Sequence, residues 1–261
     1  MKKNLLLSVS ALLFSYFLMA QTDTTINGVT YTLFAPGLWV EVEAAPFTCG
    51  DDITFMYNGS MVTYGTVESN GNCWMDRNLG ASQVATSSTD HLSYGDLFQW
   101  GRGDDEHQLM TWTNSTSGTS VNASQEGQSS SPTPGDYFLH GSNNWYTGSD
   151  PDELWIEYGT GVNNPCPPGW RVPTEAEWNA ERNSWSPNNN ATGAIDSPLK
   201  LPLAGFRSNN TGNLILGGIV GFYWSSTVSS ADSRHLNVNS SNASVSTSNR
   251  AFGLSVRCLK N

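Results

Sequence analysis

Charge is scarce in this sequence. Only 13% of its 261 residues are Asp, Glu, Lys or Arg, and cations are the scarcer kind, with 12 basic against 23 acidic side chains and a formal net charge of −11. Such a surface repels phosphate backbones and anionic lipid headgroups, so no nucleic-acid partner and no direct membrane insertion are expected. Beyond residues 5–19 no apolar run is long enough to cross a bilayer. Cysteine is limited to Cys49, Cys73, Cys166 and Cys258, without a Cys-x-x-Cys pair, and His91, His107, His140 and His235 are scattered. These spacings argue against a zinc centre. Also missing are a Gly-x-Ser-x-Gly elbow, a His-Glu-x-x-His helix and a Gly-rich phosphate loop. The expectation is a non-enzyme with no cofactor.

What is there begins with an export signal. Lys2 and Lys3 precede an apolar run from Leu5 to Met19, and Ala20 is followed by polar residues. This order is that of a secretory signal peptide over residues 1–20, and the run is short for a membrane anchor. Cleavage would leave 241 residues with 10 basic and 23 acidic side chains. In an oxidising compartment the four cysteines read as two disulfides, with three connectivities open. The expected location is secreted or on the outer cell surface.

Periodicity then sets the organisation. Val29, Tyr31 and Leu33 alternate, as do Leu38, Val40 and Val42 beyond Pro36-Gly37, so residues 21–46 read as a short N-terminal β segment of two strands. Ile53, Phe55 and Tyr57 alternate into Asn58-Gly59, and Asn70-Gly71 marks a second tight turn, which predicts a three-stranded meander over 53–76. The Ser-, Thr-, Asn- and Gly-rich stretch 113–135 has no periodicity and reads as a mobile loop. One clear helix is predicted over 174–186, opened by the capping box of Thr174 and Glu177 and ended by Pro187 and the asparagines after it. At the C-terminus Phe252, Leu254, Val256 and Cys258 fall on a core face against Gly253, Ser255 and Arg257. The fold class is α+β with an antiparallel, β-rich sheet system and long loops.

Five segments carry a family resemblance: Gly71-Asn72-Cys73-Trp74-Met75-Asp76-Arg77-Asn78-Leu79, Tyr94-Gly95-Asp96-Leu97-Phe98-Gln99-Trp100, Cys166-Pro167-Pro168-Gly169-Trp170-Arg171-Val172-Pro173-Thr174, Phe222-Tyr223-Trp224-Ser225-Ser226-Thr227 and Gly253-Leu254-Ser255-Val256-Arg257-Cys258. Together and in order, over about 47–261, they resemble the Fibrobacter succinogenes major paralogous domain family of exported and surface proteins. The block Arg171 to Trp178 is also similar to the start of formylglycine-generating-enzyme-like domains, relatives of the C-type lectin fold. The resemblance implies a C-type-lectin-like core in which Cys166–Cys258 staples the two ends, leaving Cys49–Cys73 as the second pair, with the meander bringing residue 73 back beside the strand after Cys49. It does not imply the oxidase activity, which needs a reactive C-terminal cysteine pair, nor calcium-dependent lectin chemistry, because Trp224-Ser225-Ser226-Thr227 puts hydroxyls where a carboxylate is expected.

Two kinds of side chain remain as binding candidates. Trp145 and Trp155 lie in polar, Gly- and Asn-rich surroundings, where they either stack against sugar rings or cap the core beneath long loops. Trp74, Trp100, Trp170 and Trp224 read as core. The acidic clusters Asp104-Asp105-Glu106 and Asp150, Asp152 and Glu153 offer oxygen ligands for calcium without EF-hand spacing, and solvated loop charge is the alternative. The resulting expectation is a non-catalytic module that binds a glycan or a surface protein through a loop-rich face holding Trp145, Trp155, Asp104 and Asp105. The alternative is a self-associating structural component of a surface layer or fibre.

Overall fold

The computed structural model describes residues 23–26, 29–35, 38–41, 47–155, 161 and 163–261. The expected signal peptide lies outside the described residues. The chain divides into two units, Met1–Phe47 and Thr48–Asn261. The described residues of the first unit form an antiparallel meander of three strands, Asp23–Ile26, Val29–Ala35 and Leu38–Glu41. The sequence reading missed the first of these because Asp-Thr-Thr-Ile has too few apolar residues to show alternation.

Among the described residues the second unit consists of small, mainly antiparallel sheets with two short α-helices. The region 53–76 is not one meander. It forms two hairpins, Ile53–Tyr57 with Ser60–Tyr64 and Thr66–Ser69 with Asn72–Met75, which belong to different sheets. Both turns are those the sequence signals, with Asn58 at φ 46° and Gly59 at 69°, then Asn70 at 49° and Gly71 at 77°. The stretch 113–135 is also a correction. Met110–Asn114 and Ser117–Ser120 form a hairpin, and Ser124–Glu126 pairs in parallel with Phe138–His140. Beyond them, the Ser129 N–H donates to Trp145 O at 2.7 Å and the Thr147 N–H to Ser129 O at 2.8 Å. Main-chain pairing holds this segment, which is why apolar periodicity could not reveal it.

Helix α1, Glu175–Ser184, begins with the expected capping box: the Glu177 N–H donates to the Thr174 hydroxyl, and the Glu177 carboxylate accepts from Thr174 N at 2.7 Å. Trp185 forms its C-cap. A second helix α2, Ala191–Asp196, escaped the sequence reading. Its N-cap Asn190 accepts from Thr192 N and Gly193 N, so the asparagine run that ends one helix also opens the next. Within the second unit the three strands Val220–Ser229, Asp232–Asn239 and Ala243–Asn249 form an antiparallel sheet with Ala243–Asn249 at its edge.

Tryptophans organise the core. One cluster gathers Trp100, Trp145, Trp155, Trp170 and Trp224, and a second gathers Trp74, Trp178 and Trp185 with Tyr223 and Leu236. A buried indole must still satisfy its N–H, and here main-chain carbonyls do it. Trp100 donates to Ser225 O at 2.8 Å, Trp224 to Phe98 O at 2.7 Å and Trp178 to Trp224 O at 3.0 Å, so each ring ties distant segments together. The disulfides are Cys49–Cys73 and Cys166–Cys258, the two pairs expected.

The C-terminal segment is buried on both faces. Gly253, Ser255 and Arg257 are as enclosed as Leu254, Val256 and Cys258. Gly253 pairs on both sides, with Arg207 and with Gln99. The Arg257 guanidinium donates to Asn78 Oδ1, Met75 O and Leu199 O. Polar alternation there marks hydrogen bonding inside the core, not solvent. Among the described residues no helix is long and apolar enough to cross a membrane.

Candidate functional site

The expected aromatic platform is not on the surface. Trp145 is 0% exposed and Trp155 2% exposed. Trp145 donates to Trp100 O at 2.7 Å, and Trp155 donates to Asn163 O at 2.9 Å with its ring centroid 5.6 Å from that of Trp100. Main-chain carbonyls of the fold supply the acceptors that these buried indoles need, and neither ring has a free face for a sugar.

The acidic clusters are likewise committed or dispersed. Asp105 accepts from Arg102 Nη2 at 2.8 Å and bonds His107 Nδ1 through its other oxygen. The Gln99 N–H donates to His107 Nε2 at 2.9 Å, which fixes Nδ1 as the protonated nitrogen and the donor to Asp105. Burial, reinforced by the Arg102 charge, pushes His107 down to about 3, so its ring is neutral. Burial alone would raise Asp105, but the hydrogen bond from the neutral His107 and the charge and hydrogen bond of Arg102 hold it below the usual carboxylate range. This His–Asp pair is internal bracing, since the nitrogen that would face a nucleophile is already taken. Asp104 is exposed and accepts from Asn58 N at 3.1 Å, Asp152 pairs with Arg250 at 2.5 Å, and Glu106, Asp150 and Glu153 are exposed. Among the described residues no three His, Cys, Asp or Glu side chains come together to hold a metal ion.

A different carboxylate stands in a site. Asp96 is 5% exposed and lines a groove of 440 Å³ between the 53–64 hairpin and segments 80–82 and 109–121. Tyr57, Asn58, Ser60, Val62 and Tyr64 supply one wall, and Gly80, Ala81, Ser82, Leu109, Met110 and Val121 the other. The Tyr57 hydroxyl donates to Asp96 Oδ2 at 2.7 Å and the Met110 N–H to Oδ1 at 2.9 Å, so one carboxylate bridges both walls. Gly80, at φ 81°, is needed beside it because a Cβ there would collide with the carboxylate. Tyr64 donates its hydroxyl on neither of these contacts but accepts from Gly80 N at 3.0 Å, which closes the far end.

Burial pushes Asp96 up to about 6, against the lowering effect of the Tyr57 and Met110 hydrogen bonds and the more distant Arg207. Among the described residues no cation lies within ion-pair distance of it. At neutral pH it is therefore mostly ionised and uncompensated at close range, the kind of perturbed group that collects in binding sites. The sequence signal for it was the motif Tyr94-Gly95-Asp96, read as family pattern and not as chemistry. A larger cavity of 620 Å³ at the start of α1 is lined by Arg171, Thr174, Glu175, Glu177, Asn179 and Thr227. There the charged side chains answer one another, Arg171 with Glu177 at 2.5 Å and Glu175 with Arg234 at 3.3 Å.

Compared with known proteins, the chain matches no family model, no curated protein and no solved structure.

Proposed function

We propose that this chain is an exported, non-catalytic binding module of the Fibrobacter succinogenes major paralogous domain family, with a lectin-like core, that holds a glycan in the groove floored by Asp96. The groove itself carries the reading. Its volume falls within the range of small-ligand sites, and it offers hydroxyls from Ser60 and Ser82, the Asn58 amide and the Asp96 carboxylate beside the apolar Val62, Leu109 and Val121. A sugar presents just such a mixture of hydroxyls and C–H faces. The two disulfides fit an oxidising compartment. The test is a glycan array probed with the mature protein and with Ser82→Trp, a change at an exposed rim position. Binding that the variant loses at least tenfold with an unchanged melting temperature supports the reading. An array without signal, or signal indifferent to Ser82→Trp, overturns it.

A structural role in a surface layer has one observation in its favour. The edge strand Ala243–Asn249 contains no charged residue and no proline, the usual guards against strand addition by another copy. Ordered polymers in electron micrographs of concentrated protein would support that role, and a monomer at all concentrations would remove it.

A further inference from the structure

We infer that the group recognised at the floor of the groove is a primary ammonium, carried by an unacetylated amino sugar. This rests on the glycan reading and goes beyond it by naming the chemistry. Asp96 brings a carboxylate to the wall of an open groove, and the protein has placed no cation within ion-pair distance of it among the described residues. A buried carboxylate without a counter-ion is costly to keep, and the cost is removed when a ligand brings the positive charge. Each Asp96 oxygen accepts one internal hydrogen bond, from Tyr57 or from Met110, which fixes the carboxylate's orientation and leaves each oxygen a second lone pair.

The walls favour the same ligand. Tyr57 and Tyr64 flank the carboxylate with rings that are themselves nearly enclosed, so they shield Asp96 from bulk water and strengthen its attraction for a cation arriving from the groove. The Tyr64 ring is covered by Arg77, whose guanidinium carbon lies 4.8 Å from the ring centroid. Arg77 does not exclude a second cation, because Asp76 neutralises it in a two-pronged pair at 2.8 and 3.0 Å. A neutral or anionic sugar would leave the Asp96 charge answered only by its two hydrogen bonds and the more distant Arg207. The formal net charge of −11 further attracts a cationic ligand.

Calorimetric titration of the full mature chain with a glucosamine oligosaccharide, its fully N-acetylated counterpart and a short lysine-containing peptide decides the matter. The glucosamine oligomer should bind at least tenfold more tightly than the acetylated one, and Asp96→Asn should abolish the difference. Should Asp96→Asn fail to fold by circular dichroism, Ser82→Arg places a competing cation at the exposed rim and should weaken the glucosamine oligomer at least tenfold. Equal binding of the two oligomers overturns the ammonium assignment while leaving the glycan module standing. Asp96-dependent binding of the peptide without either oligomer keeps the ammonium chemistry and overturns the glycan source. Silence in all three arms overturns both.

Discussion

Trp145 and Trp155 show how a single residue misleads when only its chain neighbours are known. Glycine and asparagine around a tryptophan read as surface, yet both rings are enclosed and send their indole N–H groups to main-chain carbonyls brought up by the fold, those of Trp100 and Asn163. The consequence is measurable: Trp145→Ala or Trp155→Ala should each lower stability by about 3–5 kcal/mol in chemical denaturation, as for other buried aromatics. A loss below about 1 kcal/mol would put either ring back at the surface. His235 makes a second case. It is buried against Phe222 and Trp224, its Nδ1 has no hydrogen-bond partner, and burial pushes it down to about 4. His235→Phe should therefore keep the packing and leave stability at pH 7 within about 1 kcal/mol, the tolerance expected of a nearly volume-conserving core exchange.

At the level of elements, legibility followed the kind of force that makes each one. Local signals were enough for α1 and for both Asn-Gly turns, because a capping box and a left-handed pair of residues are written in adjacent positions. Thr174→Ala, which removes the N-cap acceptor of Glu177 N, should cost about 1 kcal/mol, read as a shift of the denaturation midpoint. The disulfide pairing was legible only through resemblance. Opening Cys166–Cys258, which spans 92 positions, should cost about 4.6 kcal/mol against about 3.5 for Cys49–Cys73 over 24, if unfolded-chain entropy dominates. Differential scanning of the two double-alanine variants tests that order. What escaped the sequence was long-range main-chain pairing. The parallel match of Ser124–Glu126 with Phe138–His140 uses residues without apolar alternation, and the switch of sheets at Gly65 separates two hairpins that chain order had joined. The groove escaped for the same reason, since its walls come from segments up to 64 positions apart.

For the whole molecule, acid should be the weak direction. His107 and His235 are held at about 3 and about 4 in the folded protein, against 6.5 for the free side chain. Below pH 6.5 the unfolded chain takes up protons that the folded one refuses, so each histidine removes about 1.4 kcal/mol per pH unit until its folded value is reached. Asp96 acts in the opposite sense between about 6 and 3.8, where the folded state holds the extra proton, and it offsets only one of the two. The melting temperature should thus fall between pH 6.5 and 4, and His235→Phe should make the fall shallower. A flat profile would mean that the histidines titrate normally. The buried arginines carry a different consequence. Arg102, Arg207, Arg250 and Arg257 are enclosed in the interior, and Arg77, Arg171 and Arg234 are matched to Asp76, Glu177 and Glu175. Among the described residues most acidic side chains are exposed while every basic one is buried or half-buried, so the charge that a neighbouring molecule meets is more lopsided than the residue count conveys. Two copies approaching at low ionic strength should repel, giving a positive second virial coefficient that fades as salt shortens the screening length to about 10 Å at 0.1 M.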